Sequence, residues 1–190
     1  MTPKASIFAG VNGAGKTTAY FELVSKQVDL GRRINACKIA WSIGDHKDPA
    51  TQVRASRIAL TLRKMYLKDK SDFNLETTLC GSGILRLFDE LKENGFFICL
   101  YFVGLESKEL AKERVKIRVA KGGHDIKANL IERRFYESLK NLTKVLSLCD
   151  EARIYDNSDT FKLIAQIKNS KILEFKQTKW LKELNIKEEK

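Results

Sequence analysis

Apolar runs alternate with amphipathic stretches along most of the chain, and this alternation predicts a parallel sheet covered by helices. Strands are predicted for five short apolar runs, at residues 5–9, 34–37, 73–77, 96–103 and 152–155. Helices are predicted between them, at residues 17–28, 49–68, 83–93, 107–121 and 128–148. The fold class expected from this pattern is α/β, with a mostly parallel sheet.

The last part of the chain has a different pattern. Residues 162–168 and 171–176 form two strand-like arms around Asn169-Ser170. This predicts a β-hairpin with a tight turn, although the first arm could also form a helix. A short final helix is predicted at residues 178–184. Because no repeat or linker divides the sequence, residues 1–190 are expected to form a single domain.

A glycine-rich segment follows the first predicted strand and matches the phosphate-binding pattern G-x-x-x-x-G-K-[ST]. Its residues are Gly10, Val11, Asn12, Gly13, Ala14, Gly15, Lys16 and Thr17, followed by Thr18. Glycines let backbone N–H groups turn toward a phosphate, and the next helix adds the positive end of its dipole. Lys16 would neutralise the β- and γ-phosphates, and Thr17 would hold Mg²⁺. The motif predicts a nucleoside triphosphate bound to a three-layer P-loop sandwich.

The predicted strand at 73–77 ends in an acidic and a hydroxyl residue, Glu76 and Thr77. Ligands of open α/β sheets bind beyond the carboxyl ends of the strands. Both side chains are therefore expected to point toward the phosphate loop. A strand end followed by a helix N-cap would explain the same residues.

Basic residues mark the predicted helices at 107–121 and 128–148. Arg114 and Arg118 share one helix face, Gly122-Gly123 permits a hinge, and Arg134 follows on the next helix. Such arginines would suit a lid, over about residues 107–148, that closes on a triphosphate and stabilises the phosphoryl group in transfer. A solvated pair of basic helices is the alternative.

Composition narrows the class of protein. Hydrophobic residues make up 43% of the chain and charged residues 31%, as in globular domains, and the longest apolar run, 96–103, is too short to cross a bilayer. A net charge of +11 suggests an acidic partner, but the lysines are spread, so a solvated surface is the plainer explanation. Four widely spaced cysteines and the absence of a signal peptide predict a cytoplasmic protein with reduced thiols.

These segments together resemble the zeta-toxin-like P-loop kinases, over roughly residues 5–177. The residues that carry the resemblance are the loop at 10–18, segment 74–79, segment 114–126, Arg134 and segment 155–158. Characterised zeta toxins phosphorylate the sugar of UDP-N-acetylglucosamine with ATP and Mg²⁺, and an antitoxin holds them inactive. The resemblance implies a kinase with ATP and Mg²⁺ as cofactors and with an antitoxin as a possible protein partner. From the sequence, no membrane partner is expected and nucleic acid is disfavoured as a partner.

The resemblance also implies roles for single residues. Lys16, Arg118 and Arg134 would be catalytic, with the two arginines on the γ-phosphate. Thr17 would be the metal ligand.

On the acceptor side, Glu76 and Thr77 would contact the acceptor or the metal. Asp156 and Asn157 would lie near the adenine end of the nucleotide.

One position departs from the family. Members of the compact branch of this family, which the chain resembles, commonly carry Asn-Ala-Asp at the end of the second strand. The Asp of that motif is the expected base for the acceptor hydroxyl. Here the segment contains Asn35-Ala36-Cys37, so Cys37 is expected at the acceptor-side position. A thiol is a poor substitute unless it is activated, and Asp45 or Asp48 in the following loop could replace it.

Three functions remain open from the sequence. The first is a kinase that phosphorylates a hydroxyl of a small molecule, with a nucleotide sugar as the first acceptor to test. The second is a nucleotide-binding switch or partner-binding module that has lost transfer chemistry at Cys37. The third, suggested by the positive charge, is a polynucleotide or nucleoside kinase. A regulatory GTPase is disfavoured because the chain has no NKxD motif.

Overall fold

A seven-stranded sheet forms the centre of the molecule in the computed structural model, which describes residues 2–182. Its strands are β1 (Lys4–Ala9), β2 (Arg32–Ile34), β3 (Phe73–Thr77), β4 (Phe97–Gly104), β5 (Glu151–Asp156), β6 (Lys162–Lys168) and β7 (Lys171–Phe175). They lie in the order β2-β3-β1-β4-β5-β6-β7; the first five are parallel, and β6 and β7 are antiparallel. The predicted α/β class and mostly parallel sheet are confirmed.

Helices flank this sheet and largely follow the predicted segments. They are α1 (Lys16–Ser25), α2 (Ala36–Ile43), α3 (Pro49–Lys68), α4 (Ser82–Glu93), α5 (Lys108–Ala120), α6 (Ala128–Val145) and α7 (Lys179–Lys182). The α5 start is set by Ser107, whose hydroxyl accepts a hydrogen bond from the Leu110 N–H. None of the helices within residues 2–182 has the length and apolar character needed to span a membrane.

The core lies around β1 and β4, the neighbouring strands at the middle of the sheet. Seven of the eight β4 residues are buried, which explains why the segment is a continuous apolar run rather than an alternating one. Phe8 of β1 stacks on Tyr101 of β4 with ring centroids 4.8 Å apart. This packing fixes the position of β1, the strand that precedes the phosphate loop.

The prediction of a strand at residues 34–37 is wrong. Strand β2 ends at Ile34, and the chain then enters α2, which places Cys37 in the first turn of a helix. The cause is Asn35, whose side chain accepts a hydrogen bond from the Lys38 N–H and caps the helix. The short apolar run was ambiguous, because strands and buried helix starts look alike over four residues.

The C-terminal hairpin is confirmed, and its first arm is a strand. Asn169 and Ser170 both have positive φ angles, 47° and 63°, as a two-residue hairpin turn requires. The predicted final helix is observed as Lys179–Lys182, and residues 183–184 of that prediction lie outside the described residues.

Helix α7 is anchored by one aromatic side chain. Trp180 is 2% exposed, lies 6.1 Å from the Phe102 ring, and packs so closely on Gly104 that a Cβ there would overlap its indole. The short helix therefore closes one edge of the core.

We expect Trp180→Ala to lower the free energy of unfolding by about 3–5 kcal/mol, because it leaves a cavity against β4. Urea denaturation followed by circular dichroism would measure the loss. Leu173→Ala, at a side chain that is 60% exposed, is the control and should change stability by less than about 0.5 kcal/mol. Equal effects of the two substitutions would contradict this account of α7.

Candidate nucleotide and acceptor site

The phosphate loop connects β1 to α1, as the sequence motif predicts. Gly10 has φ 136°, and a Cβ at this position would overlap the Val103 carbonyl oxygen of β4. Gly15 has φ 101° and precedes the first residue of α1. Both positions require glycine, so the loop can pass close to the neighbouring strand and present its amides at the start of a helix.

Lys16 folds back across this loop. Its ammonium donates hydrogen bonds to the Gly10 and Val11 carbonyl oxygens, at 2.9 and 3.0 Å. Burial of the ammonium lowers the pKa of Lys16 to about 8, and the charge of Glu76 opposes this effect. A cation held inside a ring of backbone groups is the arrangement that receives a phosphate.

Thr17 and Glu76 meet across the sheet. The Thr17 hydroxyl lies 3.2 and 3.0 Å from the two carboxylate oxygens of Glu76, to which it donates. The contact follows from the register of β1 with β3, which pairs Phe8 with Glu76. A hydroxyl and a carboxylate are hard oxygen ligands, so the pair fits Mg²⁺. Residues 2–182 contain no cluster of three or more His, Cys, Asp and Glu side chains that could hold a metal alone.

Sequence reasoning missed Arg33, at the end of β2. Its guanidinium forms an ion pair with Glu76 and lies over the Tyr20 ring, 3.3 Å from the centroid. The partner is 43 residues away along the chain. The one available signal was its place near a strand's carboxyl end, where ligands of such sheets bind.

The predicted lid approaches the phosphate loop from both of its helices: α5 packs against Gly13, and α6 reaches the loop through an arginine. Arg134 of α6 donates from Nη1 to the Asn12 side-chain oxygen at 2.9 Å. Arg118 of α5 donates instead to the His124 carbonyl oxygen at 2.7 Å, within the lid's own hinge. Both positive charges lower the pKa of Lys16, so both arginines lie on the loop's side of the molecule.

The predicted hinge between α5 and α6 also forms a hydrogen bond with α3, on the opposite side of the site. Gln52 of α3 donates from Nε2 to the His46 carbonyl oxygen at 3.0 Å, and the same nitrogen lies 2.9 Å from Nδ1 of His124. Because an amide nitrogen donates, Nδ1 of His124 accepts and the ring is neutral in this contact. Burial and the Arg118 charge lower the pKa of His124 and favour that neutral form.

Residues at the far side of the loop hold its backbone. Asn157 donates from its side-chain nitrogen to the Ala14 carbonyl oxygen at 2.8 Å. The Asp156 carboxylate accepts a hydrogen bond from the Ser158 N–H at 2.9 Å, which shapes the loop after β5. Asn157 therefore borders the phosphate loop and Asp156 shapes the adjoining turn, and the proximity of both residues to adenine stays a prediction.

Comparison with known proteins shows the family. No protein-family model matches the chain. A Haemophilus influenzae protein of uncharacterized function is 32% identical over 136 residues, which cover 71% of this chain and 94% of that protein. The chain belongs to the same family as this protein.

Solved structures show the fold at lower identity. A chain of the PezAT chromosomal toxin–antitoxin system of Streptococcus pneumoniae matches with a TM-score of 0.61 and 17% identity, over 84% of this chain and 70% of that one. A chain of the AvrRxo1-ORF1:AvrRxo1-ORF2 complex with ATP matches with a TM-score of 0.70 and 11% identity, over 95% and 62%. The chain therefore shares the α/β fold of these two structures.

The residues expected to serve as the acceptor base lie at the start of α2 and in the loop that follows it, and their role stays a prediction. Cys37 is exposed in the first turn of α2, and a negative charge on it would raise the pKa of Lys16. Asp48 caps α3 and accepts hydrogen bonds from the Ala50 and Thr51 N–H groups, which lower its pKa. Asp45 is bonded to the Lys47 N–H at 2.9 Å. Both aspartates are thus engaged in local turns.

The remaining predicted acceptor-side residue, Thr77, follows Glu76 at the end of β3. Its hydroxyl accepts a hydrogen bond from the Leu79 N–H at 3.0 Å and shapes the turn that leaves the strand. Thr18, the last residue of the motif, is exposed in the first turn of α1.

We expect ATP binding to weaken by up to about tenfold as the pH rises from 7 to 9. Lys16 is charged below its pKa of about 8 and becomes neutral above it, whereas bound phosphate favours the charged form. Calorimetry in buffers of different ionisation heat should record proton uptake on binding near pH 8.5. Lys26→Ala, at the exposed end of α1, should leave the pH profile unchanged, and a flat profile in the native protein would contradict the role of Lys16.

Proposed function

We propose that this chain is an ATP-dependent kinase that transfers the γ-phosphate to a hydroxyl group of a small molecule. The observation that carries the proposal is the Thr17–Glu76 contact, at 3.0 Å, which joins the phosphate loop to the acceptor side of the sheet. The Arg134–Asn12 contact adds a lid cation at the same loop.

The residues would divide the work of phosphoryl transfer, which depends on positioning and on charge stabilisation. Loop amides and Lys16 would hold the β- and γ-phosphates, with Arg118 and Arg134 on the oxygens of the transferred group. Thr17 and Glu76 would hold Mg²⁺, which neutralises phosphate charge when bound. Closure of the lid would exclude water from the transferred group.

The proton of the acceptor hydroxyl needs a separate account. Of the nearby carboxylates, Glu76 has the largest effect on the pKa of Lys16. Asp45 and Asp48, in contrast, are engaged in turns. We therefore assign Glu76 as the acceptor-side carboxylate, with Cys37 contacting the acceptor at the family's base position. The ion pair with Arg33 fixes the direction of the Glu76 carboxylate.

A protein partner forms part of the proposal. The two solved relatives come from a toxin–antitoxin system and from a two-protein complex. An antitoxin-like protein that blocks the nucleotide or acceptor site would suit a kinase whose activity must be restrained. Co-purification of such a partner from the native host would test this extension.

The direct test is a transfer assay with radiolabelled ATP, Mg²⁺ and a panel of nucleotide sugars that begins with UDP-N-acetylglucosamine. We expect a phosphorylated acceptor with the native protein. Lys16→Ala should reduce the rate by about 10²–10³-fold, because it removes charge stabilisation at the transferred group. Binding of ATP with no product from any hydroxyl acceptor would overturn the proposal.

A nucleotide-binding switch with impaired transfer is the second candidate, and Cys37 is the observation that favours it. If the site is degenerate, Cys37→Asp should raise acceptor phosphorylation by about 10²–10⁴-fold, the usual contribution of a general base. Cys37→Ser is the matched control and should produce no gain. An unchanged rate in Cys37→Asp would show that another group, such as Glu76, serves as the base.

A further inference from the structure

A pocket of about 290 Å³ lies between α3 and α4, and its lining includes Glu76 and Thr77 at the carboxyl end of β3. We call it the α3–α4 pocket. Because Glu76 contacts Thr17 of the phosphate loop, the pocket lies next to the predicted site of phosphoryl transfer. Its volume is at the lower end of the range of small-molecule sites, about 300–1,000 Å³.

The inner surface of the α3–α4 pocket is apolar. Ile34 and Leu75 line it from the sheet, and Ile84 and Leu87 line it from α4. All four side chains are buried. A sugar or phosphate group placed against these four side chains would lose its hydrogen bonds to water without replacement, which is unfavourable. The pocket therefore fits an apolar group.

Two charged side chains, Glu76 and Arg63, interrupt this apolar lining. Arg63 of α3 lines the pocket, and its Nε atom is buried with no hydrogen-bond partner within residues 2–182. Arg63 as a whole is only partly buried, so its two Nη atoms, which also have no hydrogen-bond partner within the described residues, are the donors open to a ligand in the pocket. A carboxylate or phosphate oxygen is the acceptor that a guanidinium binds best.

We propose that the α3–α4 pocket binds the acceptor and selects an alcohol that carries both an apolar group and an anionic group. The apolar group occupies the pocket, the anion pairs with Arg63, and the hydroxyl faces Glu76. This inference rests on the proposed kinase function, because it identifies the class of acceptor for the same site. It distinguishes the acceptor from a uniformly polar sugar.

Binding can be tested without any transfer reaction. The native protein, saturated with a non-hydrolysable ATP analogue to occupy the phosphate loop, would be titrated with phenyl phosphate, benzoate, benzyl alcohol and inorganic phosphate. Methyl NMR signals of Leu75 and Leu87 would report occupancy of the pocket. We expect shifts with phenyl phosphate or benzoate, at least tenfold weaker binding of benzyl alcohol, and no shifts with inorganic phosphate. The stronger of the two anions identifies phosphate or carboxylate as the recognised group.

Variants of α3 distinguish the contribution of the Arg63 charge from that of the shape of the α3–α4 pocket. Arg63→Gln should weaken binding of the anionic probe at least tenfold and leave benzyl alcohol unchanged, since it removes a charged hydrogen bond. Arg57→Gln makes the same change at an exposed position of α3 outside the pocket and should alter affinity less than twofold. Ala59→Leu should fill the pocket and weaken both aromatic probes.

The outcomes distinguish this inference from the proposed function. Equal affinity of benzyl alcohol and the anionic probes, or shifts at other methyl groups only, would overturn the pocket assignment. Unchanged probe binding in Arg63→Gln would also overturn it, whatever the transfer assay shows. Probe binding that follows the expected pattern in a protein that transfers no phosphate would support the pocket and overturn the kinase proposal.

Discussion

Parallel pairing of β1 with its two neighbours is the constraint on which the whole candidate site depends. The register with β3 brings Glu76 level with Phe8, two residues before the phosphate loop begins. The register with β4 places a backbone carbonyl against Gly10. A one-residue slip in either pairing would turn the strand's side chains to the opposite face and separate Glu76 from Thr17. The buried apolar side chains of β1 and β4 prevent such a slip.

Two cations of the site act on a single carboxylate. Arg33 forms an ion pair with Glu76, whose charge also acts on Lys16, and Arg134 of the predicted lid bonds to the phosphate loop at Asn12. The net charge of +11 was uninformative in the sequence, because it is spread along the chain. In three dimensions, part of it converges where phosphate would develop negative charge during transfer. The fold therefore brings part of the chain's excess positive charge together at the candidate site.

The predictable parts of the site are those encoded over short stretches. The phosphate loop, the Ser107 cap and the Asn169-Ser170 turn each depend on local backbone chemistry, so the sequence revealed them. The pairing of Arg33 with Glu76 depends on strand register, which no local pattern contains. The α2 helix was missed because a side-chain cap at Asn35 outweighed the apolar pattern that favoured a strand. The roles of Arg118 and Asn157 toward a nucleotide stay predictions.

The hydrogen bond between Gln52 and His124 has a consequence for the order of events in the site. Gln52 belongs to the helix that lines the α3–α4 pocket, and His124 belongs to the lid hinge. If the lid opens and closes as predicted, a ligand that shifts α3 through this bond would also shift the balance between open and closed lid, and a ligand that closes the lid would change affinity on α3 by the same factor. Such reciprocity would let an enzyme delay closure over its nucleotide until the correct acceptor is present. It would thereby spare the triphosphate from hydrolysis by water.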